Sequence, residues 1–222
     1  HFAQLEAAGI SVTLTDLTRL RDSNPAYSAF WRLFIQPFGN DEGELLPNPF
    51  GEGRVSLRSY LAMLNFKANH RKLIIADDGT QLSALVTSAN PHDGSSAHGN
   101  VALRFNGHAA WDLFESEAAV LEFSDAPVPI PEVAQISEAS SNGLTVQVVT
   151  ERSVERASID MIDGAGPGDK LDMAMCYLSD RDIVTALKRA AERGVSMRVL
   201  LDPNKDAFGR KKNGVPNRPV AH

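Results

Sequence analysis

The chain writes one pattern twice. "AQLEAAGISVTLTD" (residues 3–16) and "LKRAAERGVSMRVLLD" (residues 187–202) each read as a helix closed by a glycine, then an alternating strand, then an aspartate. Gly9 aligns with Gly194, 185 residues later. A helix–strand unit cannot bury its apolar stripe alone, so each copy needs a sheet to rest on. That restricts the chain to an α/β architecture with two related lobes. His70 follows Gly9 by 61 residues, so an equivalent position after Gly194 falls near 255, past residue 222. The expectation is an interior piece of a two-lobe protein whose second copy is incomplete, or a chain whose missing parts sit elsewhere. The opening "HFAQLEAAG", already helical and without a leading Met, points the same way.

The pattern between the two copies fits this architecture. "ISVTLTDL" alternates as a strand, and "PAYSAFWRLFI" reads as a helix. "QPFGNDEGELLPNPFGEG" is a long loop rich in Pro, Gly and acids. In "SLRSYLAMLN", Leu57, Tyr60, Leu61 and Leu64 fall at helical spacing, with Ser56 as N-cap. Two strands follow, around the hairpin signal "DDGT", then the strand "VALRF" and the helix "AAWDLFESEAAVLEF". Residues 124–143 lack periodicity, carry three prolines, and read as a linker. Beyond it come the strand "LTVQVVT", the helix "SVERASIDMID", the apolar strand "LDMAMCYL" of the buried parallel kind, and a helix capped by a Ser179/Asp182 box. The expected division is 1–123, a first lobe; 124–143, a linker; and 144–222, the N-terminal part of a second lobe.

Bulk properties narrow the function. A hydrophobic fraction of 43% supports a proper core, and the net charge of −6 argues against tight nonspecific binding to nucleic acid. No window approaches the ~18 consecutive apolar residues of a membrane span. No signal peptide opens the chain, and the compartment is not readable. The lone Cys176 excludes an intrachain disulfide and a cysteine zinc cluster, and its apolar context reads as a small buried hydrophobe. His92, His98 and His108 have no standard metal-ligand spacing, so no metal site is expected. "FWRLFIQPF" (Phe30–Phe38) reads first as core packing and second as a surface for lipid. "DPNKDAFGRKKNG" (Asp202–Gly214) lacks phosphate-loop spacing. Its Lys205, Arg210 and Lys212 read equally as solvated or as contacts to an anionic headgroup.

The chemistry concentrates in "KANHRKLIIADDG" (Lys67–Gly79), where His70-x-Lys72-x-x-x-x-Asp77 stands. On a strand, His70 and Lys72 share one face and Asp77 ends the run. An imidazole beside an ammonium suits a phosphate ester: the ring nitrogen attacks phosphorus, and the lysine holds non-bridging oxygens. "TSAN" (Thr87–Asn90), ending the return strand, supplies hydroxyl and amide groups to a phosphate cradle.

His70, Lys72 and Asp77, followed by Ser88 and Asn90, resemble the phospholipase D superfamily pattern of H-x-K-x(4)-D and a later G-S/G-x-N element. The segment "SDRDIVTALKRAAERGVSMRVLLDPNKDAFGRKKNGVPNRP" is similar to the second lobe of bacterial members, ahead of their second motif. The resemblance implies an α/β/α sandwich of two pseudo-repeated lobes with the site at their junction. It implies a phosphodiesterase or transphosphatidylase, with cardiolipin-synthase-like transfer a close variant, working through a phosphohistidine without metal or cofactor. Carried over, His70 is the nucleophile or its acid partner, Lys72 and Asn90 bind phosphate, Ser88 assists, and Asp77 ties down the strand end. Thr87 stands where the family has glycine. Asn100 stands where many members place an acid that orients the histidine, and an amide stabilises an imidazolium less than a carboxylate does. His-x-Lys occurs once in these residues, so the second motif must come from a missing C-terminal segment, a second polypeptide or a dimer mate. The implied partners are a phospholipid or another phosphodiester, with peripheral membrane contact. A nuclease of the same superfamily, and an inactive binding or scaffold piece, are the alternative readings.

Overall fold

The structure is a computed structural model that describes residues 2–20, 22, 24–38, 43–47, 54–63, 65, 67–133, 145–203, 206–207, 210–211 and 217–220. Two compact units divide it, residues 1–146 and 147–222. The mixture of helices and small sheets is consistent with an α/β class.

The first unit begins with α1 (Phe2–Ala7), a 3-10 turn (Leu17–Arg19), and α2 (Pro25–Phe30), which runs into a π-helical turn at Trp31–Ile35. Asn24 caps α2, its Oδ1 accepting from Tyr27 N, with Pro25 at the first helical position where no N–H is needed. A short ribbon, β1 (Leu46–Pro47) against β2 (Arg54–Val55), leads to α3 (Leu57–Met63). Ser56 caps α3 as its sequence indicates, accepting from Ser59 N at 3.0 Å. An antiparallel sheet follows, in the order β3 (Leu73–Asp77), β4 (Leu82–Thr87), β5 (Ala102–Asn106). The short α4 (Asp93–Ser96) lies between β4 and β5, and α5 (His108–Phe123) packs on the sheet. Small side chains permit that approach: Ala84 on β4 and Ala109 and Ala110 on α5 are buried, with Leu82 and Leu113.

The hairpin turn is built by one carboxylate oxygen. Asp78 Oδ1 accepts from Thr80 Oγ1 (2.7 Å), Gln81 N (2.9 Å) and Thr80 N (3.0 Å). Those bonds, the Thr80 hydroxyl foremost, lower the Asp78 carboxyl from 3.8 to about 2.

In the second unit, α6 (Arg152–Gly164), β6 (Lys170–Met175), α7 (Arg181–Glu192) and β7 (Ser196–Leu201) form a β–α–β crossover preceded by a helix. β6 and β7 pair in parallel, Lys170 with Ser196 through Met175 with Leu201. Ile162, Leu178, Ala186, Leu187, Ala190 and Val195 form the core, and Leu171, Met173, Met197 and Leu201 pack against it. A ribbon of β8 (Asp206–Ala207) and β9 (Arg210–Lys211) and the short α8 (Asn217–Val220) complete the unit. Asn217 is buried and stitches the strand ends: its Oδ1 accepts from Leu178 N, and its Nδ2 donates to the carbonyls of Cys176 and Asp202.

The repeat reappears as local geometry. Gly9 and Gly194 have φ of +82° and +86°. Ile10 N donates to Leu5 O at 3.0 Å and Val195 N to Ala190 O at 3.1 Å, the same six-to-one closure offset by 185 residues.

Several expectations are corrected. Residues 10–17 form no strand. Asp16 sends its N–H to Ser124 Oγ and turns its carboxylate onto Thr18, which starts the 3-10 turn. Ser124 and Asp125 are tied into the first unit by that bond and by Arg19, which reaches Phe123 O and the Asp125 carboxylate. Residues 145–150 form no strand either, because alternation supplies a face but not a partner and β6 pairs with β7. β6 is parallel but not buried throughout, since α6 and α7 both pack on one face. The opposite face carries the exposed Asp172–Arg198 pair. Cys176 is exposed, at the end of β6 where helix cover stops. The cap of α7 is Asp180 instead of Ser179, accepting from Asp182 N and Ile183 N at 3.0 Å. Phe30, Leu33, Phe34 and Phe38 are exposed rather than core, with the Phe30 and Phe34 rings 5.2 Å apart.

Candidate functional site

The segment bearing His70 is coil, not strand. Pairing begins at Leu73 against Val86, and Thr87 N donates to Lys72 O at 3.0 Å as one further rung. Ahead of it the ladder stops: Ala89 N, the next donor in register, bonds to Thr87 Oγ1 at 3.1 Å, and Arg71 N donates to Asn69 Oδ1 at 3.1 Å in an Asx turn. Lys67 Nζ donates to the carbonyls of Thr18 (3.0 Å) and Leu20 (2.9 Å) and pairs with Asp22 at 3.0 Å. Lys67, then Arg32, hold the Asp22 carboxyl below the usual carboxylate range. Asn69 Nδ2 reaches Thr15 Oγ1 at 3.2 Å, and Arg71 reaches Glu117 Oε1 at 2.8 Å and Ser116 O at 3.2 Å.

His70 itself is exposed, and Lys72 half-buried. The Lys72 ammonium donates to the His70 backbone carbonyl at 2.7 Å. Asp77 does not join them. It lies five residues along, and alternation turns it to the face on which α5 packs. There it lines a cavity of about 410 Å³ with Leu73, Ile75, Phe114, Glu117 and Leu121. That placement suits a strand-end residue more than one in contact with a reacting phosphate.

Ser88 and Asn90 sit in the loop after β4. The Ser88 hydroxyl donates to Asn100 Oδ1 at 3.0 Å and accepts from Val101 N at 3.0 Å. Asn90 is exposed, its backbone N–H fixed by Ser95 Oγ at 2.9 Å. Asn100 does not orient His70. Its amide is spent inside the loop, accepting from Ser88 and donating to Ser95 O (2.8 Å) and His98 O (3.1 Å). Among the described residues the His70 ring makes no hydrogen bond.

His92 caps α4, its Nδ1 accepting from Ser95 N at 3.2 Å. His108 lies 3.6 Å from Asp112 on α5. Ligating atoms of Glu155, Asp180 and Asp182 come within 4.8 Å of one another, but Asp180 is committed to capping α7. Lys205, Lys212 and the Arg210 side chain lie outside the described residues.

Sequence reading missed the anchors Lys67, Asn69 and Arg71. Their signal was available in "KANHRK", where polar residues stand on both sides of the histidine. Their partners, at Thr15, Asp22 and Glu117, are some 45 to 54 positions away.

Among the described residues, no helix is long and apolar enough to cross a membrane. No curated protein and no solved structure matches the chain. Residues 158–222, from within α6 onward, match the family model of the cardiolipin synthase PLD-like domain. This match supports a phospholipase D-like character for that segment of the second unit.

Proposed function

We propose that the chain supplies one half of a metal-independent phosphodiesterase or transphosphatidylase site acting on phospholipids. The observation that carries the phosphodiesterase reading is the family match over residues 158–222. The His70–Lys72 pair in the other unit supports the assignment of the reacting half-site. In this reading a His70 ring nitrogen attacks phosphorus. The N–P bond forms as the P–O bond to the leaving alcohol breaks, and a second histidine protonates the departing oxygen. Water or an acceptor alcohol then attacks phosphorus, the N–P bond breaks, and His70 is regenerated. The Lys72 ammonium neutralises charge developing on the non-bridging oxygens, and the exposed Asn90 amide donates to them. Ser88 reaches phosphate by releasing its bond to Asn100. The second His-x-Lys comes from a further segment, a second polypeptide or a second copy.

A phospholipid is preferred over a nucleic-acid substrate because Phe30, Leu33, Phe34 and Phe38 expose apolar surface in the unit that carries His70. Incubation with a phosphodiester labelled at phosphorus should yield acid-labile, base-stable labelling of the protein that persists in EDTA. His70→Asn should abolish it. Labelling that survives this substitution removes His70 as the nucleophile, and labelling lost in EDTA removes the metal-free mechanism.

A further inference from the structure

The His-x-Lys segment poses a positional problem. It precedes the ladder, so strand pairing does not set where His70 sits; beyond the one rung at Lys72, the backbone is held by side chains. Those side chains flank the histidine on both sides. Asn69 bonds back to Thr15 and forward to Arg71 N, and Arg71 bonds to α5 through Glu117 and Ser116. The Arg71 and Glu117 side chains are each only 22% exposed, so their charges are partly desolvated and mutually dependent. The bonds to Ser116 and Glu117 turn the Arg71 side chain toward α5, while His70 is exposed. The residue between histidine and lysine thus grips the scaffold while its neighbours stay available.

We propose that Arg71 and Glu117 are positioning residues: their ion pair fastens the coil ahead of β3 to α5 and so sets the place of His70. This rests on the reading of His70 as a reacting histidine, but its physical content can be measured without turnover. In Arg71→Ala and in Glu117→Gln of the full chain, amide exchange at residue 71, whose N–H donates to Asn69 Oδ1, and at Thr87, whose N–H donates to Lys72 O, should quicken roughly tenfold, equivalent to about 1.4 kcal/mol of local stability. Exchange in the middle of α5 should change much less. The His70 ring signals in heteronuclear spectra should shift or broaden. The exchanged pair Arg71→Glu with Glu117→Arg should recover most of the protection, and Arg71→Lys part of it.

Local exchange within twofold of the parent in Arg71→Ala overturns the proposal. So does equal acceleration throughout α5, which marks a general loss of packing. Labelling by a phosphodiester separates this proposal from the functional reading. If His70→Asn abolishes labelling while Arg71→Ala labels at the parent rate, the positioning role fails and the phosphohistidine reading stands. If the exchange effects occur but labelling ignores His70, the clamp is real and the reading of His70 fails.

Discussion

Asp78 shows how much one side chain can do. Its Oδ1 gathers three donors from Thr80 and Gln81 and turns β3 into β4, with Asp77 opposite Leu82. The folded carboxyl titrates near 2 against an ordinary 3.8. A depressed acid contributes stability above its ordinary value and loses it as pH falls through the folded one. Asp78→Ala should therefore melt at a lower temperature than the parent at neutral pH, and the difference should shrink between pH 4 and pH 2. A difference that stays constant over that interval locates the turn's stability elsewhere. The aspartate's role was legible in "DDGT", because an Asx turn is decided within four residues. Asn100 was not legible in the same way. Its position suggested service to His70, yet Ser88, Ser95 and His98 use its amide, and only the folded loop puts them in reach.

Among the elements, the two glycine-closed helices are the most faithful to their sequence. The closing bonds at Leu5–Ile10 and Ala190–Val195 need a left-handed residue between helix and exit, and Gly9 and Gly194 provide it. A Cβ on Gly194 would meet Pro167 no closer than 4.0 Å, so the cost of Gly194→Ala is conformational rather than steric. It should be about 1–2 kcal/mol, read as a shift in the urea midpoint with unchanged slope. A shift of a few tenths or less would mean that residue 194 leaves the left-handed region at little cost. The two chain segments leaving these glycines have different fates. After Gly194 the alternating residues become β7, because β6 lies alongside. After Gly9 an equally alternating stretch forms no strand, and Asp16 at its end gives its N–H to Ser124 just past α5. Period-two hydrophobicity marks competence to form a strand; pairing needs a neighbour that local sequence does not name.

At the scale of the molecule, charge and apolar exposure point the same way. A net charge of −6 gives a phosphate backbone little to bind, and Phe30, Leu33, Phe34 and Phe38 expose the apolar surface that the proposed function assigns to lipid. Sedimentation with phospholipid vesicles should exceed retention on duplex DNA at matched phosphate and near-physiological salt, and Phe34→Ser should reduce it. Strong DNA retention that falls steeply with salt would favour the nuclease alternative. From its residues alone, the chain disclosed the α/β alternation, the glycine closures at Gly9 and Gly194, and the helix cap at Ser56. All of these rest on spacing, turn chemistry and propensity, which act over a few residues. Tertiary structure decided that His70 lies in coil, that Asp77 faces away from Lys72, that Cys176 is exposed, and that Asn217 joins the ends of β6 and β7. It also supplied Glu117 to Arg71 from 46 positions away. These depend on which distant backbone and side-chain groups meet, and a hydrogen bond or ion pair across the fold leaves no local pattern by which either partner could be read.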